Sequence, residues 1–207
     1  MTARDAADPI EARTMQILII QGGLGMPSRT ATLAAGAARL LRSWWHPVNV
    51  FDLREHQLPW IDPSRWDAGP GVHPSVDRLV AWAQQAQAQV WATPVYHNSY
   101  SGALKCALDH LSSRQLRDTP VALCGDGGST GSEQPLEHLR SIARSFHAIA
   151  CPTALTARSE DLSRRDDGYT VVNPAIVQRT RQLCEELVRF GHLFARPDGG
   201  IQQAATA

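Results

Sequence analysis

Apolar positions along the chain alternate between short unbroken runs and longer stripes of helical spacing. Gln16–Gln21 (QILIIQ) is an apolar run closed by glycines, which predicts a buried strand. Leu33, Ala37, Leu40, Leu41 and Trp44 follow at the spacing of one helix face. Val48–Asp52 (VNVFD) predicts a second strand, and Val76, Leu79, Val80 and Ala83 a second helix. Gln89–Thr93 (QVWAT) predicts a third strand, with Ala103, Leu104, Ala107, Leu108 and Leu111 as its helix. Pro120–Cys124 (PVALC) predicts a fourth, followed by Leu136, Leu139, Ile142, Ala143 and Phe146. Ala148–Leu155 holds a fifth strand interrupted by Pro152, and Ile176, Val177, Leu183, Leu187 and Val188 mark a long last helix.

Five strands alternating with five helices predict an α/β fold, a parallel sheet covered by helices on both faces. Right-handed crossovers and five units suit the order 2-1-3-4-5, in which ligands bind beyond the carboxyl ends of the strands. The loops after strands one, three and four are therefore the candidate site. Two other segments interrupt the alternation. Leu53–Val72, with Pro59, Trp60, Pro63, Trp66 and Pro70, is long enough to be a lid, an interface or a binding loop, or else a stiff loop packing its own tryptophans. Ser159–Pro174 is charged and reads as a solvated insertion.

The length of 207 residues suits one domain with a full core. Met1–Arg13 reads as a frayed arm and Arg196–Ala207 as a loose tail, which leaves 14–195 as the folded domain. Twenty basic residues balance twenty acidic ones, so no net field favours nucleic acid or an anionic membrane. No apolar run approaches the ~18 residues of a spanning helix. Cys106, Cys124, Cys151 and Cys184 form no C-x-x-C pair and read as reduced, buried thiols, as in a cytoplasmic protein. The eight histidines are scattered without ligand spacing, so no metal site is expected.

The loop after the first strand, Gln21-Gly-Gly-Leu-Gly-Met-Pro-Ser-Arg-Thr, combines Gly23 and Gly25 with Ser28, Arg29 and Thr30 at the start of a helix. Bare backbone N–H groups, hydroxyls and the positive end of the helix make a phosphate cradle. No G-K-[ST] follows, so it is not a P-loop. Gly23-x-Gly25-x-x-Ser28 approximates a dinucleotide fingerprint, with Asp52 where a ribose-binding acid would sit. The loop after strand four carries Gly125, Gly127, Gly128 and Ser129, small enough for close approach by a ligand. Its Gly127-x-Ser129-x-Gly131 also matches a nucleophile elbow, which could draw on Asp161, Asp166 or Asp167 and on His192. After strand three, Pro94 ends the ladder and is expected to leave the amides of the next residues free, while Tyr96 and Tyr100 offer aromatic surface and Asn98 a donor and an acceptor, suited to a flat heteroaromatic ring.

The run TPVYHNSYSGALKCALDHL, Thr93 to Leu111, closely resembles the T-P-x-Y-x-x-x-Y-x-G-x-L-K-x-x-x-D signature of NADPH-dependent FMN reductases. The resemblance extends from Gln16 to Leu155 in consistent order and is nearest to the branch that supplies reduced flavin to two-component monooxygenases. It implies a flavodoxin-like fold, FMN, NADPH or NADH as hydride donor, and a homodimer or homotetramer. By matching positions, Gly23, Ser28, Arg29 and Thr30 hold the phosphate. Pro94, Val95, Tyr96, His97 and Asn98 line the isoalloxazine, and Gly125, Gly127, Gly128 and Ser129 approach its other edge. The flavin N5 carries the chemistry, so no catalytic side chain is implied. The family's first loop reads G-S-x-R, whereas Gly23 and Gly25 stand here, which removes a hydroxyl and a charge and implies weaker phosphate binding unless Arg29 compensates. Lys105 and Asp109 read as a surface ion pair or oligomer contact, with a direct role at the site as the alternative. The resemblance leaves open a partner monooxygenase, a flavin-bound quinone, azo or nitro reductase, and an electron carrier of the flavodoxin type.

Overall fold

The computed structural model describes residues 14–65, 71, 73–128 and 133–194. Strands β1 (Ile17–Gln21), β2 (Val48–Asp52), β3 (Ala88–Pro94), β4 (Pro120–Asp126) and β5 (Ile149–Ala157) form one sheet. Every pairing is parallel, as the alternation of elements predicts, and the order is β2-β1-β3-β4-β5, the one expected for five such units. Helices α1 (Arg29–Ser43) and α6 (Pro174–Leu193) cover one face, and α2 (Pro74–Gln85), α3 (Gly102–Asp109) and α5 (Glu133–Ser145) the other, with α4 (Ser113–Leu116) a single turn before β4.

Both faces of the sheet are buried because the period of a strand sends alternate side chains to opposite layers. Ile17 and Ile19 join Leu33, Leu41, Leu183 and Leu187 in one core. Leu18 and Ile20 join Phe51, Leu79, Trp91, Leu104 and Leu139 in the other. Pro152 is accommodated at an edge. β5 pairs only with β4, and its register slips there, so that Val121 faces Ala150 while Leu123 faces Ala154. An irregular edge strand tolerates the missing N–H of proline.

The segment between β5 and α6 departs from the expected solvated insertion. It forms an antiparallel hairpin, β6 (Leu162–Arg165) with β7 (Gly168–Val171). Asp161 anchors its base by accepting from the Arg158 amide at 2.7 Å and the Asn173 side chain at 2.6 Å. Of the long segment after β2, the Pro59 carbonyl is fixed to α3 by the Cys106 thiol at 3.3 Å and the His110 Nε2 at 2.8 Å. Trp60 beside it is 82% exposed and not packed within its own loop, and Trp66 lies outside the described residues.

All four cysteines are free. Burial pushes the Cys151 and Cys184 thiols up to about 12 and raises Cys124 further, so the three buried ones are inert hydrophobes. No helix among the described residues is long and apolar enough to cross a membrane.

Candidate functional site at the carboxyl edge of the sheet

The loops after β1, β3 and β4 meet at one edge, and sequence-distant hydrogen bonds tie them together. Ser28 is the N-cap of α1, and its Oγ accepts from the Ala31 amide at 3.1 Å. Thr32 returns its hydroxyl to the Ser28 carbonyl at 3.1 Å, and Thr30 is buried under the turn. A Cβ on Gly23 would stand 2.6 Å from Ser28 Oγ and 2.8 Å from Thr30 Cβ, so only glycine fits. Gly25 is open, and a methyl there would meet the Pro27 carbonyl at 3.4 Å, an ordinary contact. The peptide between Met26 and Pro27 is cis.

Gln21, the last residue of β1, folds its side chain back over the turn. Its Oε1 accepts from the Gly23 amide, and its Nε2 donates to the Gly23 carbonyl at 3.1 Å and to Asp52 Oδ1 at 2.9 Å. Asp52 also takes Arg54 Nε at 3.0 Å and Arg54 Nη2 at 2.5 Å. Burial pushes the Asp52 carboxyl up, but the Arg54 hydrogen bonds and charge, with Gln21, outweigh it and hold it below the usual range. This carboxylate is engaged by protein partners, so the acid that a dinucleotide fingerprint needs for the ribose is already occupied.

Arg29 opens α1 and points toward β4. Its Nε lies 3.0 and 3.1 Å from the two oxygens of Asp126, and its guanidinium stands 5.9 Å from the Tyr169 ring on β7. Asp126 is 6% exposed and ends β4, where the Gly127 amide bonds the Ala157 carbonyl at 2.9 Å and Gly128 turns with φ +59. Gly125 lies within β4, and Ser129 falls outside the described residues. Sequence reasoning missed Gln21, Arg54, Asp126 and Tyr169. An acid amid glycines at a strand end was the one visible signal, and it named no partner.

Pro94 is the last residue of β3, in register with Asp126. The next amide, Val95, donates to the Asp126 carbonyl at 2.9 Å. Tyr96 and Ser99 exchange both backbone hydrogen bonds, with His97 (φ 50) and Asn98 (φ 62) between them in a left-handed two-residue turn. The expected free amides at Val95 and Tyr96 are thus used internally. What faces outward is side chain, with Tyr96 51% exposed and His97 and Asn98 exposed. His138 on α5 braces this turn through Ser99 Oγ at 3.1 Å. Lys105 and Asp109 form the i,i+4 ion pair at 2.5 Å. A cleft of about 500 Å³ opens beside the turn, lined among others by Val95, Asn98, Pro135, Thr156, Arg158 and Ile176.

The elbow reading finds no geometry. His192 sits near the C-terminus of α6 beside His46, with ring centroids 6.4 Å apart, and His46 bonds the Met15 amide at the start of β1. That is the amino edge of the sheet, opposite Gly127 and Gly128. Asp161 is committed to the hairpin base, and Asp166 and Asp167 are exposed at the hairpin turn.

A family model of NADPH-dependent FMN reductases matches residues 15–161. An FMN-dependent NADPH-azoreductase of Staphylococcus aureus is 35% identical over 184 residues, covering 85% of this chain and 95% of that enzyme. Among solved structures, the flavoenzyme NAD(P)H:(acceptor) oxidoreductase FerB of Paracoccus denitrificans superposes with a TM-score of 0.70 at 19% identity, over 87% of this chain and 99% of that one. The apo form of the NADH:FMN oxidoreductase EmoB superposes at 0.65 with 21% identity, over 90% and 94%. At such identities the two structures speak for the fold.

Proposed function

Since this chain belongs to the NADPH-dependent FMN reductase family, we propose that it holds FMN across the β1 and β3 loops and passes electrons from NAD(P)H to an azo, quinone or nitro acceptor. The observation that carries this is the pairing of a bare glycine turn at the start of a 15-residue helix with an aromatic turn that ends in solvent. The residues fit the group. Gly23 keeps side chains out of the turn, Ser28 and Thr30 sit at its base, and Arg29 closes it from the β4 side. Pro94, Val95, Tyr96, His97 and Asn98 form the ring side, and Gly125, Gly127 and Gly128 at the end of β4 approach the ring's other edge, while Ser129 lies outside the described residues. Gly25 adds an open position in the turn.

Bound FMN supplies hydride-accepting chemistry, and the protein supplies position and electrostatics. The left-handed turn at His97 and Asn98 holds Tyr96 in place, because its backbone bonds are closed on Ser99. The cleft beside Asn98 is of a size to take a small aromatic acceptor or a nicotinamide. The likeness to an azoreductase over nearly that enzyme's full length supports reduction of an acceptor on the protein.

A second reading, release of reduced FMN to a flavin-dependent monooxygenase, is favoured by the glycines at 23 and 25, which take a hydroxyl and a positive charge away from the turn. Met26 at 83% exposure and Tyr96 put apolar surface around the same edge, and Trp60 stands exposed beside α3, which supports a homodimer or homotetramer. Localisation in the cytoplasm accords with four free thiols.

Purified protein is titrated with FMN, and the bleaching of the visible flavin absorbance by NADPH and by NADH is followed without oxygen. Azo dye reduction that persists when free flavin is removed by rapid filtration supports the first reading. Reduction that stops on filtration, with reduced FMN in the filtrate, supports the second. Absence of flavin binding would overturn both.

A further inference from the structure

We infer that Arg54, two residues beyond β2, supplies a charged hydrogen-bond donor to the FMN phosphate, an inference that rests on the FMN reading above. A phosphate dianion needs positive partners, and from Gly22 to Thr32 the turn carries a single cation, Arg29. Arg29 is committed to Asp126 through Nε and leans on Tyr169, on the β4 side of the turn. The β2 side is served by Arg54. Its Nε and Nη2 are held by Asp52, and the third nitrogen, Nη1, faces the turn, 3.9 Å from Met26 Sδ. The side chain keeps 24% of its surface accessible, so the free edge of the fork can meet a ligand.

The guanidinium is fixed to the turn itself. Asp52 is bonded by Gln21 Nε2, and Gln21 bonds both the amide and the carbonyl of Gly23. One chain of hydrogen bonds therefore sets Arg54 relative to the turn after β1. Asp52 neutralises the guanidinium as a net charge and leaves its donors directional. Such a pair recognises a phosphate at contact range and adds little long-range attraction, consistent with a flavin that exchanges.

Flavin fluorescence quenching by the full chain, with FMN and with riboflavin, separates this role from a structural one. Riboflavin shares the ring and lacks the phosphate. The wild type is expected to prefer FMN. Arg54→Gln is expected to weaken FMN about tenfold and to leave riboflavin within twofold. Arg54→Lys, which keeps the charge, recovers part of the preference. Asp52→Asn with Arg54→Gln leaves no unpaired buried carboxylate, so it keeps the question answerable if Arg54→Gln alone does not fold. Equal loss of both flavins, or unchanged FMN binding, overturns the assignment of Arg54. A wild type that binds neither flavin overturns the FMN reading instead.

Discussion

The Ser101 hydroxyl donates to the Gly22 carbonyl across 2.8 Å and so joins the loop before α3 to the turn after β1. The same oxygen caps α3 by accepting from the Leu104 amide at 3.1 Å, while the Ser101 amide donates to Thr93 Oγ1 at 2.9 Å. One residue thus ties the turn after β1 to the end of β3. Gly22 is close enough to need its missing Cβ, which would stand 2.8 Å from Ser101 Oγ and from Leu104 Cβ.

Ser101→Ala removes both the cap and the tie without adding volume. We expect a loss of about 1–3 kcal/mol in stability from a lost cap and an unpaired buried carbonyl. Thermal unfolding measures this, and FMN affinity falls with it because the two halves of the site are no longer held in register. Retention of wild-type Tm would show that the Ser101 bond carries no weight.

The two glycines of the turn are expected to differ. Gly23→Ala forces a methyl against Ser28 Oγ and Thr30 Cβ at under 3 Å, both buried, so the turn must move. Overpacking of this kind costs about 1–3 kcal/mol, and FMN binding is expected to weaken by an order of magnitude or more. Gly25→Ala meets one backbone oxygen at contact distance and is expected to change Tm and FMN affinity little. Parallel titrations of the two variants check the contrast, and equal effects would contradict it.

These contrasts mark what was legible in the sequence. The sheet was, since a strand buried on both faces reads as QILIIQ or PVALC wherever it occurs. The glycine turn and the Pro94 turn were legible because they rest on local backbone chemistry. The β6–β7 hairpin was not: LSRR and GYTV are short and polar, and Asp161 at the base and Tyr169 beside Arg29 hold them by contacts made only in the fold. The partner of Arg29 was hidden for the same reason, since Asp126 lies 97 residues away in sequence. The sequence left open whether Arg29 compensates for the bare turn, and in the fold its Nε is engaged by that carboxylate.

At the far edge of the sheet, His46 is buried and accepts from the Met15 amide, and His192 stands close by. Burial first, and the His192 charge second, hold the His46 pKa below its ordinary value. The unfolded chain therefore takes up the proton before the folded one does. Stability is full above the ordinary histidine range near ~6.5 and is lost as pH falls through the depressed folded value. His46→Gln removes this contribution. The wild-type Tm should drop more between pH 7 and 5 than that of the variant (about the width of a histidine titration), and parallel slopes would exclude His46 as the group responsible.

The Arg29–Asp126 pair allows the most discriminating comparison, because its two members affect phosphate binding with opposite sign. Asp126 is nearly buried, and its partner retains some exposure. Asp126→Asn preserves shape and removes the negative charge, and the weakened pair costs about 1–3 kcal/mol, or roughly 2–4 °C in Tm per kcal/mol for a chain of this size. Arg29→Gln costs a similar amount and leaves a buried carboxylate without its cation. For FMN the outcomes diverge. Losing Asp126 removes a repulsive charge and frees Arg29, so affinity holds or rises. Losing Arg29 exposes the phosphate to an uncompensated carboxylate, so affinity falls about tenfold or more, the scale of one charge-assisted hydrogen bond. Measured by FMN titration with riboflavin as reference, a matching loss in both variants would show that the pair only supports the fold.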